Sequence, residues 1–318
     1  MAARGRQSLD RSGSSESKLT YTEFLQRFPD SDACLEWLKA KRWPDGIFCE
    51  GPRCQRIRNH HRVNGRQSYA CDVCRRQVYP TKNTIFQKSS TSLQLWFYGI
   101  FLMSSTRCGI SAKQLERELG VTYPTAWRMF REIRSLLSEP DLRLEGEVEV
   151  DETYFNRSKR YRPGEPARRH GAGPTIGERV VVGMVERGGR VVMRHVPDAS
   201  AASLVGAIEV HVLPSTMIYT DEHPSYKRVG QKGYPHRRIN HSAHVYVDGD
   251  ISTNTIEGVW SLVKRGIGGV YHSVSAKHLQ SYLDEYAYRY SHRMDARSMF
   301  DSMLDRLAEG TSSAPSPA

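Results

Sequence analysis

Long apolar runs are missing from this chain. The longest, Leu95 to Met103, has nine residues, and a membrane-spanning helix needs about 20. That excludes an integral helical membrane protein. The opening segment, MAARGRQSLDRSGSSESK, holds no apolar stretch, so no secretion leader is expected. Cysteine is scarce, with six in 318 residues, which is too few for a disulfide scaffold. Paired cysteines in such a chain read as metal ligands. No internal repeat is visible. Acidic residues are in deficit, 35 against 46 Lys and Arg, for a formal net charge of +11. An excess of that size points to a polyanionic partner.

The positive charge is clustered. Between Cys49 and Lys82 lie Arg53, Arg56, Arg58, Arg62, Arg66, Arg75, Arg76 and Lys82, opposed by Glu50 and Asp72. Between Phe155 and Thr175 lie Arg157, Lys159, Arg160, Arg162, Arg168 and Arg169, opposed by Glu165. With 38% hydrophobic and 25% charged residues the composition is otherwise that of a globular protein, and the length allows about two domains. Residues 1–20 and 307–318 are polar and Ser-rich and are expected to be disordered.

Residues 21–43 place Phe24, Leu25, Phe28, Cys34, Leu35 and Leu38 at helical spacing, and Trp43-Pro44-Asp45-Gly46 ends the segment in a turn. Next come Cys49-x4-Cys54 and Cys71-x2-Cys74, two pairs flanking Asn64-Gly65. Asn-Gly is the strongest short hairpin signal, and two cysteine pairs on tight turns can offer four thiolates tetrahedrally to Zn²⁺. The segment 21–82 therefore reads as a helical lead-in and a zinc ribbon. The first spacer is longer than the usual two residues. Cys34 and Cys108 have no partner at ligand spacing and are expected in the core.

Residues 83–140 read as helical. Ser111 is an N-cap, Gly120 a C-terminal glycine and Thr122 a second N-cap followed by Pro124. The face Ala126, Trp127, Phe130, Ile133 would pack the second helix on the first, as in a helix-turn-helix or a plain helical hairpin. Tyr123, Thr125, Arg128 and Arg131 would then face outward, toward DNA.

Residues 145–300 open with Glu147-Val148-Glu149-Val150-Asp151-Glu152, whose period of two marks a strand with Glu147, Glu149 and Asp151 on one face. Strands at 179–186, 190–196 and 216–220, a helix at 199–212 and a later helix from Thr253 to Lys264 follow. Three strands, a helix, another strand and later helices fit an α/β, RNase H-like domain. In that arrangement Asp151 lies on the central strand, Asp221 ends its neighbour and Glu257 projects from the late helix. Three carboxylates so placed can hold two divalent cations that clamp the oxygens of a phosphodiester displacement. Lys264 lies seven residues after Glu257 on the same helix face, where it can meet a phosphate.

Those motifs carry a resemblance. Arg42-Trp43-Pro44-Asp45-Gly46, Glu149-Val150-Asp151-Glu152-Thr153-Tyr154, Tyr219-Thr220-Asp221-Glu222, Asn240-His241-Ser242, Thr253 to Gly266 and Tyr271-His272-Ser273-Val274-Ser275 resemble a DDE transposase of a bacterial insertion sequence. The similarity is to the branch with an N-terminal zinc ribbon, related to the eukaryotic Merlin elements, and spans roughly residues 20–300. It implies Asp151 and Asp221 as ligands of Mg²⁺ or Mn²⁺, with Glu257, or alternatively Asn254, in the third position. It also implies double-stranded DNA as partner, both terminal inverted repeats and target. Arg157, Lys159, Arg160, Arg168 and Arg169 would grip the backbone, and a homo-oligomer would assemble on DNA in a bacterial cytoplasm, with no membrane partner. The competing readings are a DNA-binding regulator with an inactive nuclease-like domain and a structure-specific nuclease of the same fold.

Overall fold

A computed structural model describes residues 19–106, 108–156, 178–238, 254–272 and 274–309. The expected terminal tails at 1–18 and 310–318, the basic run 157–169 and the motif 240–242 lie outside the described residues. Two compact units are formed, one from residues up to Leu136 together with those from Met294 onward, the other from Leu137 to Arg293. No helix is long and apolar enough to cross a membrane.

The first unit begins with α1 (Tyr21–Arg27) and α2 (Ser31–Arg42). The expected single lead-in is broken at Pro29, and Asp30 caps the second helix by accepting from the Ala33 N–H at 2.8 Å. Next come β1 (Phe48–Cys49) and β2 (Arg56–Ile57), paired antiparallel, and a separate sheet of β3 (His60–Arg62), β4 (Tyr69–Cys71) and β5 (Gln77–Val78). The turn between β3 and β4 carries the Asn64-Gly65 pair, with Gly65 at φ +72°. Helices α3 (Leu93–Ser105), α4 (Ala112–Leu119), α5 (Tyr123–Ser135) and α9 (Met299–Glu309) complete the unit. Their core is aromatic: Phe24, Phe28, Phe97, Phe101 and Phe300 meet with centroids 4.8–6.2 Å apart along the chain of contacts. Helix α9 runs through Glu309 and buries Leu307, so 307–309 are helical rather than part of a tail.

The α4–α5 pair turns at Gly120, whose φ of +63° is the left-handed conformation glycine adopts freely. Ser111 caps α4 through the Gln114 N–H. Thr122 has the extended backbone of a cap, but its hydroxyl meets Thr125 Oγ1 instead of a backbone N–H. The buried face of α5 is Ala126, Met129, Phe130 and Ile133, the i, i+3, i+4, i+7 set. Met129 thus takes the place expected for Trp127, which is half-buried. Cys34 is buried as expected, whereas Cys108, just past the end of α3, is exposed.

The second unit is built on one sheet of β6 (Glu147–Asn156), β7 (Glu178–Glu186), β8 (Val191–Val196), β9 (Met217–Thr220) and β10 (His236–Arg238), in the order β10-β9-β6-β7-β8. The first three strands form an antiparallel meander, and β9 and β10 run parallel to β6. The crossover from β8 to β9 is α6 (Ala201–His211), capped by Ser200. Val148, Val150, Val180, Val182 and Val192 pack with Leu204, Val205 and Ile208 of α6 in an apolar cluster. Helices α7 (Asn254–Gly266) and α8 (Ala276–Ser291) follow, α7 continuing directly into a π-helical turn at Ile267–Tyr271.

Candidate metal centres and the acidic strand end

Among the described residues, Cys49, Cys54, Cys71 and Cys74 are the group whose potential ligand atoms all lie within 4.8 Å of one another. Cys49 and Cys74 sulfurs are 3.3 Å apart and those of Cys54 and Cys71 3.9 Å. A tetrahedron with Zn–S bonds of about 2.3 Å has edges of about 3.8 Å, so the donor set fits zinc. Each pair closes on a matching turn. The Cys54 N–H donates to the Gly51 carbonyl and the Arg75 N–H to the Cys71 carbonyl. The residues after each second cysteine, Gln55 and Arg75, have φ of +42° and +63°. The long first spacer is absorbed at Gly51: a Cβ there would stand 2.7 Å from the Cys74 sulfur and 3.4 Å from that of Cys49. In the metal-free cluster the backbone N–H groups of Cys74 and Val73 draw the Cys71 thiol down to about 6, while burial pushes Cys54 up to about 12.

The acidic strand β6 divides its side chains between two faces. Val148 and Val150 enter the apolar cluster beneath α6. On the other face Glu149 is fully buried, and it accepts from four donors. Arg187 Nε donates to Oε1 at 3.1 Å, the backbone N–H groups of Thr255 and Ile256 donate to Oε2 at 2.9 and 3.1 Å, and the Thr255 hydroxyl donates to Oε1 at 3.0 Å. The first turn of α7 is therefore fastened to β6 by a carboxylate at its positive end. Arg187 also binds Glu147 at 3.0 Å and lies over the Tyr219 ring. The carboxylate row thus relies on the guanidinium of Arg187 and the end of a helix for part of its neutralisation.

Asp151 is different. It is partly buried, and the Trp260 indole N–H donates to its Oδ2 at 2.9 Å. Burial, then the charges of Glu152 and Asp221, push its carboxyl up to about 7. The parallel register pairs Glu149 with Tyr219, and continuing it by two residues sets Asp221 level with Asp151. The two aspartates predicted from sequence are thus neighbours, Asp151 in the middle of β6 and Asp221 just past the end of β9. Asp221 Oδ1 accepts the His223 N–H at 2.9 Å.

Helix α7 turns Ile256, Val259, Trp260 and Val263 inward. Glu257 and Lys264 share its exposed face, as the spacing predicts, and Asn254 is exposed with them. Glu257 thus lies on the solvent side of α7. On α5, Tyr123 and Arg131 are exposed, Arg131 pairing with Glu132 at 2.8 Å. Thr125 and Arg128 are half-buried, and Arg128 donates to the Gln87 carbonyl at 2.9 Å.

Two residues escaped the sequence reading. Trp260 lies three positions after Glu257 and reaches Asp151. Gly183 pairs directly with Asp151 across β6 and β7. A Cβ on Gly183 would stand 2.5 Å from Trp260 Cζ2 and 2.9 Å from Ile256 Cδ1. The signal was a lone glycine inside a valine-rich strand, which marks close approach. Gly183→Ala is expected to displace the indole, break its bond to Asp151 and cost about 1–3 kcal/mol, the usual price of overpacking. Urea unfolding with tryptophan fluorescence measures both effects, and an unchanged emission spectrum and midpoint would contradict this packing.

A family model described as an ISXO2-like transposase domain matches residues 143–291, and one described as a transposase zinc-ribbon domain matches residues 29–77. A protein in transposable element ISH50 of Halobacterium salinarum is 27% identical over 273 residues, covering 81% of this chain and 90% of its own. A transposase-like protein of Haemophilus influenzae is 31% identical over 90 residues, 28% of this chain and 72% of its own. Among solved structures, the Mos1 strand transfer complex aligns at 14% identity over 62% of this chain and 70% of that one, with a TM-score of 0.27, too low to carry an argument about fold. The two matched models, in chain order and covering both the cysteine cluster and the acidic strand, establish that this chain belongs to the ISXO2-like transposase family of insertion sequences.

Proposed function

We propose that the chain binds the terminal inverted repeats of its element, cuts the DNA there and joins the freed 3′ end to a target, with the second unit as an RNase H-like catalytic domain. The observation that carries this reading is the aspartate pair, Asp151 in mid-β6 and Asp221 just past the end of the parallel strand β9, with Asp151 raised to about 7 by burial and by the charges of Glu152 and Asp221. A buried carboxylate held up by neighbouring carboxylates, as Asp151 is, suits a hard divalent cation. Mg²⁺ or Mn²⁺ held by Asp151 and Asp221, with Glu257 or Asn254 in the third position, would supply charge stabilisation to the oxygens of a phosphodiester displacement. Trp260 orients Asp151 by its indole N–H. Lys264, exposed two turns along α7 from Glu257, offers its ammonium to a nearby phosphate. Loss of either aspartate would have favoured a non-catalytic regulator, and both are present.

The first unit is the DNA-gripping part in this reading. Zinc in the ribbon supplies folding energy to a segment with little apolar core. Helices α4 and α5 act as a helix-turn-helix, with Tyr123, Thr125, Arg128 and Arg131 toward the groove. Arg157, Lys159, Arg160, Arg168 and Arg169 supply backbone contacts, and two copies of the chain bring two DNA ends together. Affinity should then fall steeply with salt, log K dropping by about 0.9 per phosphate for each log unit. Arg131→Ala is expected to weaken cognate ends more than random duplex, whereas neutralising the 157–169 group weakens both alike. Titrations of labelled duplexes at several salt concentrations measure this. Equal effects of the two sets would refute the division into base readout and backbone contacts.

A further inference from the structure

Glu152 follows Asp151 directly and, by the alternation of β6, points to the opposite face of the sheet. Its side chain is 7% exposed, buried on the sheet face that α6 covers. Tyr226, fully buried, donates its hydroxyl to Glu152 Oε2 at 2.7 Å. The second oxygen, Oε1, lies 3.8 Å from His223 Nε2. His223 Nδ1 accepts the Ser225 N–H at 3.4 Å, where it caps the short 3-10 helix Pro224–Arg228. With Nδ1 an acceptor, the ring hydrogen sits on Nε2 and faces Glu152. The backbone N–H of the same histidine holds Asp221 Oδ1 at 2.9 Å. The Ser225 hydroxyl fastens the turn further by donating to the Ala199 carbonyl at 2.7 Å.

We propose that Glu152, backed by Tyr226, is a positioning residue that sets Asp221 through His223. The inference rests on the reading of Asp151 and Asp221 as the pair that holds a divalent cation. Consecutive residues of β6 then serve one centre from both faces of the sheet: Asp151 supplies a ligand, and Glu152 fixes the turn that supplies the other. A buried carboxylate that meets a histidine rather than an arginine or lysine among the described residues is a costly way to fill space. An apolar side chain of that volume would pack against Tyr226 at less cost, and it could not hold the Tyr226 hydroxyl and the His223 ring at once. Nothing in the reaction requires Glu152 to touch DNA.

Mn²⁺ binding to the full chain, followed by electron paramagnetic resonance of the free ion, tests the inference without relying on activity. Glu152→Ala is expected to weaken Mn²⁺ binding by about tenfold, the low end for outer-shell partners of a metal ligand. The Mn²⁺ concentration for half-maximal cleavage should rise by the same factor. Glu152→Gln keeps an amide oxygen for the His223 ring N–H and can donate its amide N–H to the Tyr226 hydroxyl oxygen, so it is expected to restore affinity to within about twofold. Tyr226→Phe removes one hydroxyl without a cavity and should weaken binding by about threefold, which covers the case of Glu152→Ala failing to fold. Parental affinity in Glu152→Ala or in Tyr226→Phe, beside loss of binding in Asp221→Ala, would overturn this inference alone. So would Glu152→Gln binding as weakly as Glu152→Ala, since the charge and not the positioning would then matter. A parent protein that takes up no Mn²⁺ would overturn the reading of the aspartate pair, and this inference with it.

Discussion

Replacing Asp151 by alanine is expected to lower cation-dependent DNA cleavage by at least about a thousandfold, roughly 4 kcal/mol of transition-state stabilisation, without loss of fold. The reason lies in the metal-free state. Asp151 is partly buried beside Glu152 and Asp221, and its carboxyl is raised to about 7, against about 3.9 in an unfolded chain. Between those values the native state holds a proton that the unfolded state has released. Stability therefore falls as pH rises from about 4 to about 7 and levels off above. The full shift of about three units sets a ceiling of about 4 kcal/mol, at about 1.4 kcal/mol per unit. Asp151→Asn removes this slope. At pH 8, without divalent cation, the variant is expected to unfold at higher denaturant than the parent, and at pH 4 at nearly the same. Adding Mg²⁺ should stabilise the parent and leave the variant unchanged. Urea midpoints across pH, with and without cation, measure this. A variant less stable than the parent at pH 8 would mean that Asp151 is held by partners other than those described.

The second large effect concerns the cysteine cluster. The ribbon's five strands have two or three residues each, and the three buried cysteines with Cys74 form an apolar cluster of their own. Such a segment owes its fold to the metal, whose binding in comparable small sites is worth about 10–16 kcal/mol. The protein purified without chelator is expected to carry about one zinc per chain. A strong chelator, or Cys71→Ser, should expose residues 47–80 to hydrogen exchange while the strands of the second unit keep their protection. Gly51→Ala should weaken zinc retention, because its Cβ would press on two of the four sulfurs. Elemental analysis and exchange mass spectrometry provide the readout. Full protection of 47–80 in zinc-free protein would contradict the account.

Much of this was legible in the residue pattern because it is local. The cysteine pairs, the Asn-Gly turn, the Ser111 cap and Gly120 all act within a few positions of where they stand. The alternation of β6 correctly sorted Val148 and Val150 from Glu149 and Asp151. What could not be read depends on long-range packing. Glu149 and Asp151 are equivalent in sequence period, yet one is locked by Arg187 and the start of α7 while the other accepts the Trp260 indole N–H and stands beside Glu152 and Asp221. Nothing local distinguishes them, because the partners come from about 40 and about 110 positions along the chain. The role of Trp260 was illegible for the same reason: its apolar face packs on Gly183, and its one polar atom decides what it does. Met129 displaced Trp127 because both are apolar, and only the position of α5 against its neighbours selects which enters the core.

The central claim is that the aspartate pair cuts and joins DNA. The most direct measurement uses a duplex ending in the element's terminal repeat, labelled at the transferred strand, incubated with the protein, Mg²⁺ and a target plasmid. The account predicts a cut at the element boundary and labelled strand joined covalently to plasmid, both absent without divalent cation and both lost in Asp151→Ala and Asp221→Ala. Specific binding with no cation-dependent cutting, or cutting that survives both substitutions, would contradict it.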